Sequence, residues 1–95
     1  MLQTAPDDVF LNYALAMSYA SEGNRSEALT RLERVIEMDA DYVAAYFQRA
    51  QLLAENEQVQ AARDVVTQGI QVARKLGDSH AAEEMSGFLA SLPSG

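Results

Sequence analysis

The 95-residue chain has no cysteine, no tryptophan, a single histidine, two prolines and five glycines. Without cysteine there is no disulfide scaffold, no thiolate nucleophile and no Cys-ligated zinc. The redox compartment stays open. Basic residues are also scarce: seven Lys and Arg stand against fourteen Asp and Glu, a net charge of −7 and a pI near 4.4. Nucleic-acid binding starts from cationic patches that displace counterions from phosphates, so this balance argues against it. An anionic membrane surface would repel the chain for the same reason. No apolar run approaches the ~18 residues that a membrane-spanning helix needs. The opening stretch ends in Pro6-Asp7-Asp8 and carries acid where a signal peptide needs base, so a cytoplasmic protein is expected.

What is present points to helices. Apolar residues make up 48% of the chain, too many for disorder, and Ala, Leu, Glu, Gln and Arg are frequent. The length allows one domain, because a chain of this size buries only about two-thirds of its unfolded surface. Five periodic segments can be read. The first runs from about Val9 to Ser21, with Phe10, Tyr13, Ala14 and Met17 on one row and Leu11, Leu15 and Tyr19 on another. It is apolar around most of its circumference, interrupted by Asn12, Ser18 and Ser21. Asp7 or Asp8 is placed to cap it, and Gly23 to stop it.

The second segment starts at Asn24, which forms a capping-box-like pair with Glu27, and ends near Met38. Ala28, Leu32, Val35 and Ile36 make its buried stripe, and Asp39-Ala40-Asp41 is a short acidic connector. Tyr42 to about Glu55 forms the third, with Ala45, Tyr46, Ala50, Leu52 and Leu53 apolar. Val59 to Leu76 is the fourth, with Ala62, Val65, Val66, Ile70 and Ala73 inward. Gly69 lies in its middle, where it weakens a helix by ~1 kcal/mol relative to Ala, which predicts close approach of another helix. The fifth runs from Asp78 or Ser79 to about Leu92, with Ala81, Met85, Phe88, Leu89 and Leu92 on one stripe. Connections this short force neighbouring helices to lie antiparallel.

Shifting the chain against itself by 34 residues aligns Val9 with Val43, Ala16 with Ala50, Ala20 with Ala54, Ala28 with Ala62 and Ile36 with Ile70. A 34-residue helix–turn–helix period is the tetratricopeptide spacing, and the chain resembles that family from about Asp7 to Leu92. Leu15-Ala16, Tyr19, Gly23, Ala28 and Leu32 match the pattern in the first repeat, and Tyr46, Ala50, Leu53, Ala62 and Val66 in the second. Departures are Asn12 for the opening aromatic, Ala40 for the closing Pro, Arg49 for the usual Leu and Glu57 for the turn Gly. Arg49 is expected to lay its stem on the core and extend its head to water. Because Glu84 falls where the next small residue is due, the last helix reads as a cap. The resemblance implies an all-α fold of the α-solenoid type. Residues 9–42 and 43–76 are the two repeats and 78–92 the capping helix, within one domain spanning 1–95.

For function, the resemblance implies a non-enzymatic protein–protein interaction module whose first helices line a concave groove. In register the groove residues are Phe10, Tyr13, Ala14, Met17 and Ser21 from one repeat, and Ala44, Phe47, Gln48, Gln51 and Glu55 from the other. One subclass of the family grips C-terminal carboxylates with Lys, Arg and Asn at such positions. Here Tyr13, Met17 and Gln48 stand there, so that clamp is missing. An aromatic and Met-rich floor with an acidic margin suits an apolar and basic peptide or helix. The charge is uneven, −5 over residues 1–42 and −2 over 43–95, which favours a basic partner at the first repeat. The first helix has no preceding repeat, so its apolar surface calls for a cover. The candidates are the capping helix, a partner, or a second copy of the chain in a homodimer through the first or last helix. No catalytic motif, metal set or cofactor site is expected. The lone His80 beside Asp78, Glu83 and Glu84 reads as a surface residue at a helix start. The pairs Asp7-Asp8 and Glu83-Glu84 diverge by ~100° on a helix and read as caps and a solvated face.

Overall fold

The computed structural model describes residues 8–93. It contains five α-helices and, among the described residues, no strand: α1 (Val9–Ser21), α2 (Arg25–Met38), α3 (Val43–Glu55), α4 (Val59–Lys75) and α5 (Ser79–Ser91). Each packs chiefly on its neighbours in sequence, α1 on α2, α2 on α3, α3 on α4 and α4 on α5. This one-dimensional stacking is how a helical repeat builds a core from hairpins too small to fold alone.

Three of the four joints share one construction. After α1, the N–H of Asn24 donates to the Tyr19 carbonyl (2.9 Å) and that of Gly23 to Ala20 (3.1 Å). After α3, Gln58 donates to Leu53 (2.9 Å) and Glu57 to Ala54 (3.0 Å). After α4, Asp78 donates to Ala73 (2.8 Å) and Gly77 to Arg74 (3.1 Å). These paired bonds satisfy the orphan carbonyls of a helix end and require one left-handed residue, normally Gly. Gly23 (φ 82°) and Gly77 (φ 77°) meet that need, whereas Glu57 adopts φ 62° with a full side chain. The residue that closes one helix also opens the next. Asn24 Oδ1 accepts from the Glu27 N–H (3.3 Å), and Asp78 Oδ1 accepts from that of Ala81 (3.1 Å). The expected capping box at Asn24 is therefore only half built. The Asn24 N–H is already committed to Tyr19, and the Glu27 carboxylate turns to Arg31 at 3.6 Å. At the start of α1 the cap is Asp8, which accepts from the Leu11 N–H at 3.0 Å. Asp7 lies outside the described residues.

The core falls into two clusters that share α3. Ala16, Ala28, Leu32 and Val35 from α1 and α2 meet Ala45 and Leu52 of α3. Tyr46, Ala50 and Leu53 of α3 meet Ala62, Val65, Val66, Ile70 and Ala73 of α4, with Ala82 and Met85 of α5. Leu29 and Ile36 touch both clusters, which leaves Ile36 half-buried rather than inside. Fully burying a side chain such as Leu32 stabilises the fold by about 1.5–3 kcal/mol. The small residues at positions 16, 28, 50 and 62 are all completely buried, as the close approach of paired helices requires.

Gly69 is where the packing is tightest. A Cβ there would lie 2.7 Å from the Tyr46 Cβ and 2.8 Å from the Met85 Sδ. Three helices, α3, α4 and α5, thus converge on a position that has no side chain. On α5, Ala82 rather than Ala81 joins Met85 in the core, while Phe88, Leu89 and Leu92 are half-buried. The helix also starts late. α4 has 17 residues against 14 in α2, so α5 begins two residues beyond a strict 34-residue period. That offset brings Ser86, not Glu84, into register with Ala50.

Asn12 departs most from expectation. Read as a polar interruption, it is in fact 2% exposed and fully engaged. Its Nδ2 donates to the Asp8 carbonyl (2.9 Å), and its Oδ1 accepts from Arg31 Nη1 (3.1 Å). Arg31 in turn lies over the Tyr19 ring, 5.9 Å from its centroid. A polar network thus binds α1 to α2 where the family pattern has an aromatic ring. Across the boundary between hairpins, the half-buried Arg49 of α3 pairs with Glu33 of α2 (3.6 Å). Tyr46 Oη donates to the Ala40 carbonyl, and Lys75 Nζ to Asp41 Oδ1, both at 2.7 Å.

Candidate functional site

The side chains proposed to line a groove lie on α1 and α3. Phe10 is 75% exposed, the most exposed large apolar side chain described. Its ring meets that of Tyr42 edge-on (centroids 6.4 Å apart), and Tyr42 also packs against Tyr13 (5.1 Å, tilted 38°). Such ring pairs add about 0.5–1.5 kcal/mol beyond area burial. Phe10, Tyr42 and Tyr13 thus form a continuous aromatic surface at the junction of α1 and α3. Burial raises the Tyr13 pKa above its ordinary value, and the neighbouring Tyr42 hydroxyl adds to the rise.

Tyr42 was not among the residues picked from the sequence. It is the residue preceding α3, and its counterpart one period earlier is Asp8, also a helix cap. Register therefore marked the position as a polar boundary. The only available signal was its ring type beside a short connector.

The remaining candidates divide. Ala14 is exposed and Met17 half-buried against the first core cluster. Gln48 and Gln51 are half-buried on α3, and Ala44 is exposed. Glu55 is exposed, 3.9 Å from Arg25, whose Nη1 is also 3.5 Å from Asn56 Oδ1. The Ser21 hydroxyl donates to the Ser18 carbonyl (2.9 Å) and so is turned inward on its own helix. Phe47 belongs to the second cluster and meets Phe88 of α5 edge-on at 5.6 Å. The last helix thus covers part of the surface assigned to the second repeat, leaving the α1–Tyr42 end as its open portion.

Elsewhere, His80 is exposed, with Nε2 3.8 Å from Glu84. No group of three or more His, Cys, Asp or Glu among the described residues could hold a metal ion. No helix among them is long and apolar enough to cross a membrane.

Helical hairpins stacked in series, small residues at each hairpin contact and an aromatic surface on the first helices define an all-α helical repeat protein. The tetratricopeptide repeat pattern matches residues 19–83. The chain belongs to the tetratricopeptide repeat family. A TPR repeat-containing protein of Pseudomonas aeruginosa is 29% identical over 92 residues, covering 97% of this chain and 88% of that protein. Two solved structures of a tetratricopeptide repeat domain protein from Salinibacter ruber are also similar. The solution NMR structure has a TM-score of 0.85 at 33% identity, covering 92% of this chain and 88% of the other. The crystal structure has a TM-score of 0.81 at 34% identity, covering 87% and 92%. Repeats of this family generally mediate protein–protein interaction and are typically non-enzymatic.

Proposed function

We propose that this chain is a cytoplasmic binding module that holds an apolar and basic peptide or helix on the α1–α3 surface. The exposure of Phe10 carries the reading. A ring left 75% open beside Tyr42 and Tyr13 offers rigid apolar contact area of the kind that dominates binding energy at interfaces. Met17 adds an adaptable contact and Gln48 and Gln51 add amide donors. The exposed Asp39 lies three positions before Tyr42, and the chain as a whole carries a charge of −7, which favours a cationic partner by steering its approach.

The test is to isolate the partner by affinity capture and mass spectrometry, then titrate its binding segment against the protein and a Phe10→Ser variant. Phe10 touches little of the core, so the variant is expected to keep its helical circular dichroism and lose about tenfold or more in affinity. Unchanged affinity in a folded Phe10→Ser variant would remove this surface from the reading.

A further inference from the structure

We infer that the groove between α4 and α5 is a self-association surface, in which a second copy of the chain lays its own α5. A cavity of about 470 Å³ opens there, lined by Arg74, Gly77, Ser79, Ala82, Glu83 and Ser86. Along this groove Ser79 and Glu83 of α5 are exposed and Ser86 is half-buried, above the buried Ala82.

Charge selects the occupant. Six of the seven basic side chains have a polar partner. Arg25, Arg31, Arg34, Arg49 and Lys75 pair with carboxylates, and Arg63 Nη1 is 3.5 Å from the Pro93 carbonyl. Arg74 has no such partner among the described residues, and neither does Glu83. These two are the only charged residues lining the cavity among the described residues. A foreign helix would have to supply an acid for Arg74 and a base for Glu83 together. A second copy related by a two-fold axis supplies both, because such an interface joins the same patch to itself. Arg74 of each copy then meets Glu83 of the other.

The contact is small. A 13-residue helix is ~20 Å long, so α5 buries less than the ~800 Å² per partner of a standard interface. The association is accordingly expected to be weak.

Sedimentation equilibrium of the full chain, from ~20 μM to ~1 mM at physiological ionic strength, tests this. The wild type is expected to dimerise across that range. Arg74→Glu and Glu83→Arg, both at exposed positions, should each weaken dimerisation about tenfold, because two attractions become two repulsions. An equimolar mixture of the two variants should dimerise again, since Glu at 74 in one chain meets Arg at 83 in the other. A wild type monomeric at ~1 mM, a single variant that dimerises like the wild type, or a mixture no better than its components would each overturn the inference. The Phe10→Ser variant should dimerise normally, which keeps this surface distinct from the proposed peptide surface.

Discussion

Replacing Gly69 by Ala sets two physical effects of opposite sign against each other. Helix propensity alone favours Ala by ~1 kcal/mol in a helix interior. The packing opposes it, because the new methyl would lie 2.7 Å from the Tyr46 Cβ and 2.8 Å from the Met85 Sδ. Carbon atoms pack best at about 3.5–4.0 Å, so each contact falls short by about an ångström. A Cβ moves only with its backbone, and Tyr46 is further held by the 2.7 Å bond from its hydroxyl to Ala40. The Met85 side chain is flexible but completely buried, with core on every side. α3 or α5 must therefore shift away from α4, and overpacking of this kind destabilises by about 1–3 kcal/mol. Packing is expected to win by up to about 2 kcal/mol, lowering Tm by ~4–8 °C for each kcal/mol in a domain of this size. Gly87 is the control, since a Cβ there meets nothing within 4 Å. Gly87→Ala should gain up to ~1 kcal/mol from propensity alone. Thermal denaturation followed by circular dichroism compares the two. A Gly69→Ala protein that melts above the wild type would refute the three-helix contact at that position.

Other substitutions follow from the joints and the buried network. Glu57→Gly relieves a left-handed residue at φ 62° and should stabilise by about 1 kcal/mol, seen as a higher midpoint in urea unfolding at unchanged slope. Asn12→Ala removes the acceptor of Arg31 and the donor to Asp8, and should destabilise by about 1–3 kcal/mol in the same assay. Alkaline pH should also destabilise. Burial raises the pKa of Tyr13 and Tyr46 above 10.0, and the hydrogen bond to Asp41 raises that of Lys75 above 10.5. A raised folded-state pKa contributes stability that is complete below the unfolded value and fades as pH climbs through the folded one. Tm is thus expected to be flat toward neutral pH and to fall above pH ~10, less steeply in Lys75→Gln. A Tm that rises across that window would contradict the assignment.

The five helices were legible because their signals are local. Apolar spacing, a cap at residue 7 or 8, the Asn24 cap and the Gly23 stop all act within a few residues. Gly69 was legible for a different reason, since an unfavourable residue inside a strong helix has to be compensated elsewhere. Asn12 was not, because its burial depends on Arg31, nineteen positions along on another helix. The candidate surface was legible only in part. Periodicity could place Phe10 and Tyr13 on one face, but not the Tyr42 ring between hairpins. It did put Phe88 on the inward stripe of the capping helix, a candidate cover for the groove, but the seat of that ring on Phe47 depends on where α5 starts, and that is set by the longer α4. A strict 34-residue frame missed this by two residues.

The division of the core into two unequal clusters sets how the molecule opens. Among the described residues, the α3–α4–α5 cluster has ten buried members, while the cluster holding α1 has six, two of them on α3. Amide hydrogens of α1 should therefore exchange fastest among the helices and those of α3 and α4 slowest, with opening that proceeds from the α1 end inward. Phe10 and Tyr13 lie on that least-held helix. A ligand gripping them binds the closed form alone and suppresses this fraying by mass action. Occupancy of the aromatic surface would then be readable in the exchange rates of α1 before it registers in global unfolding.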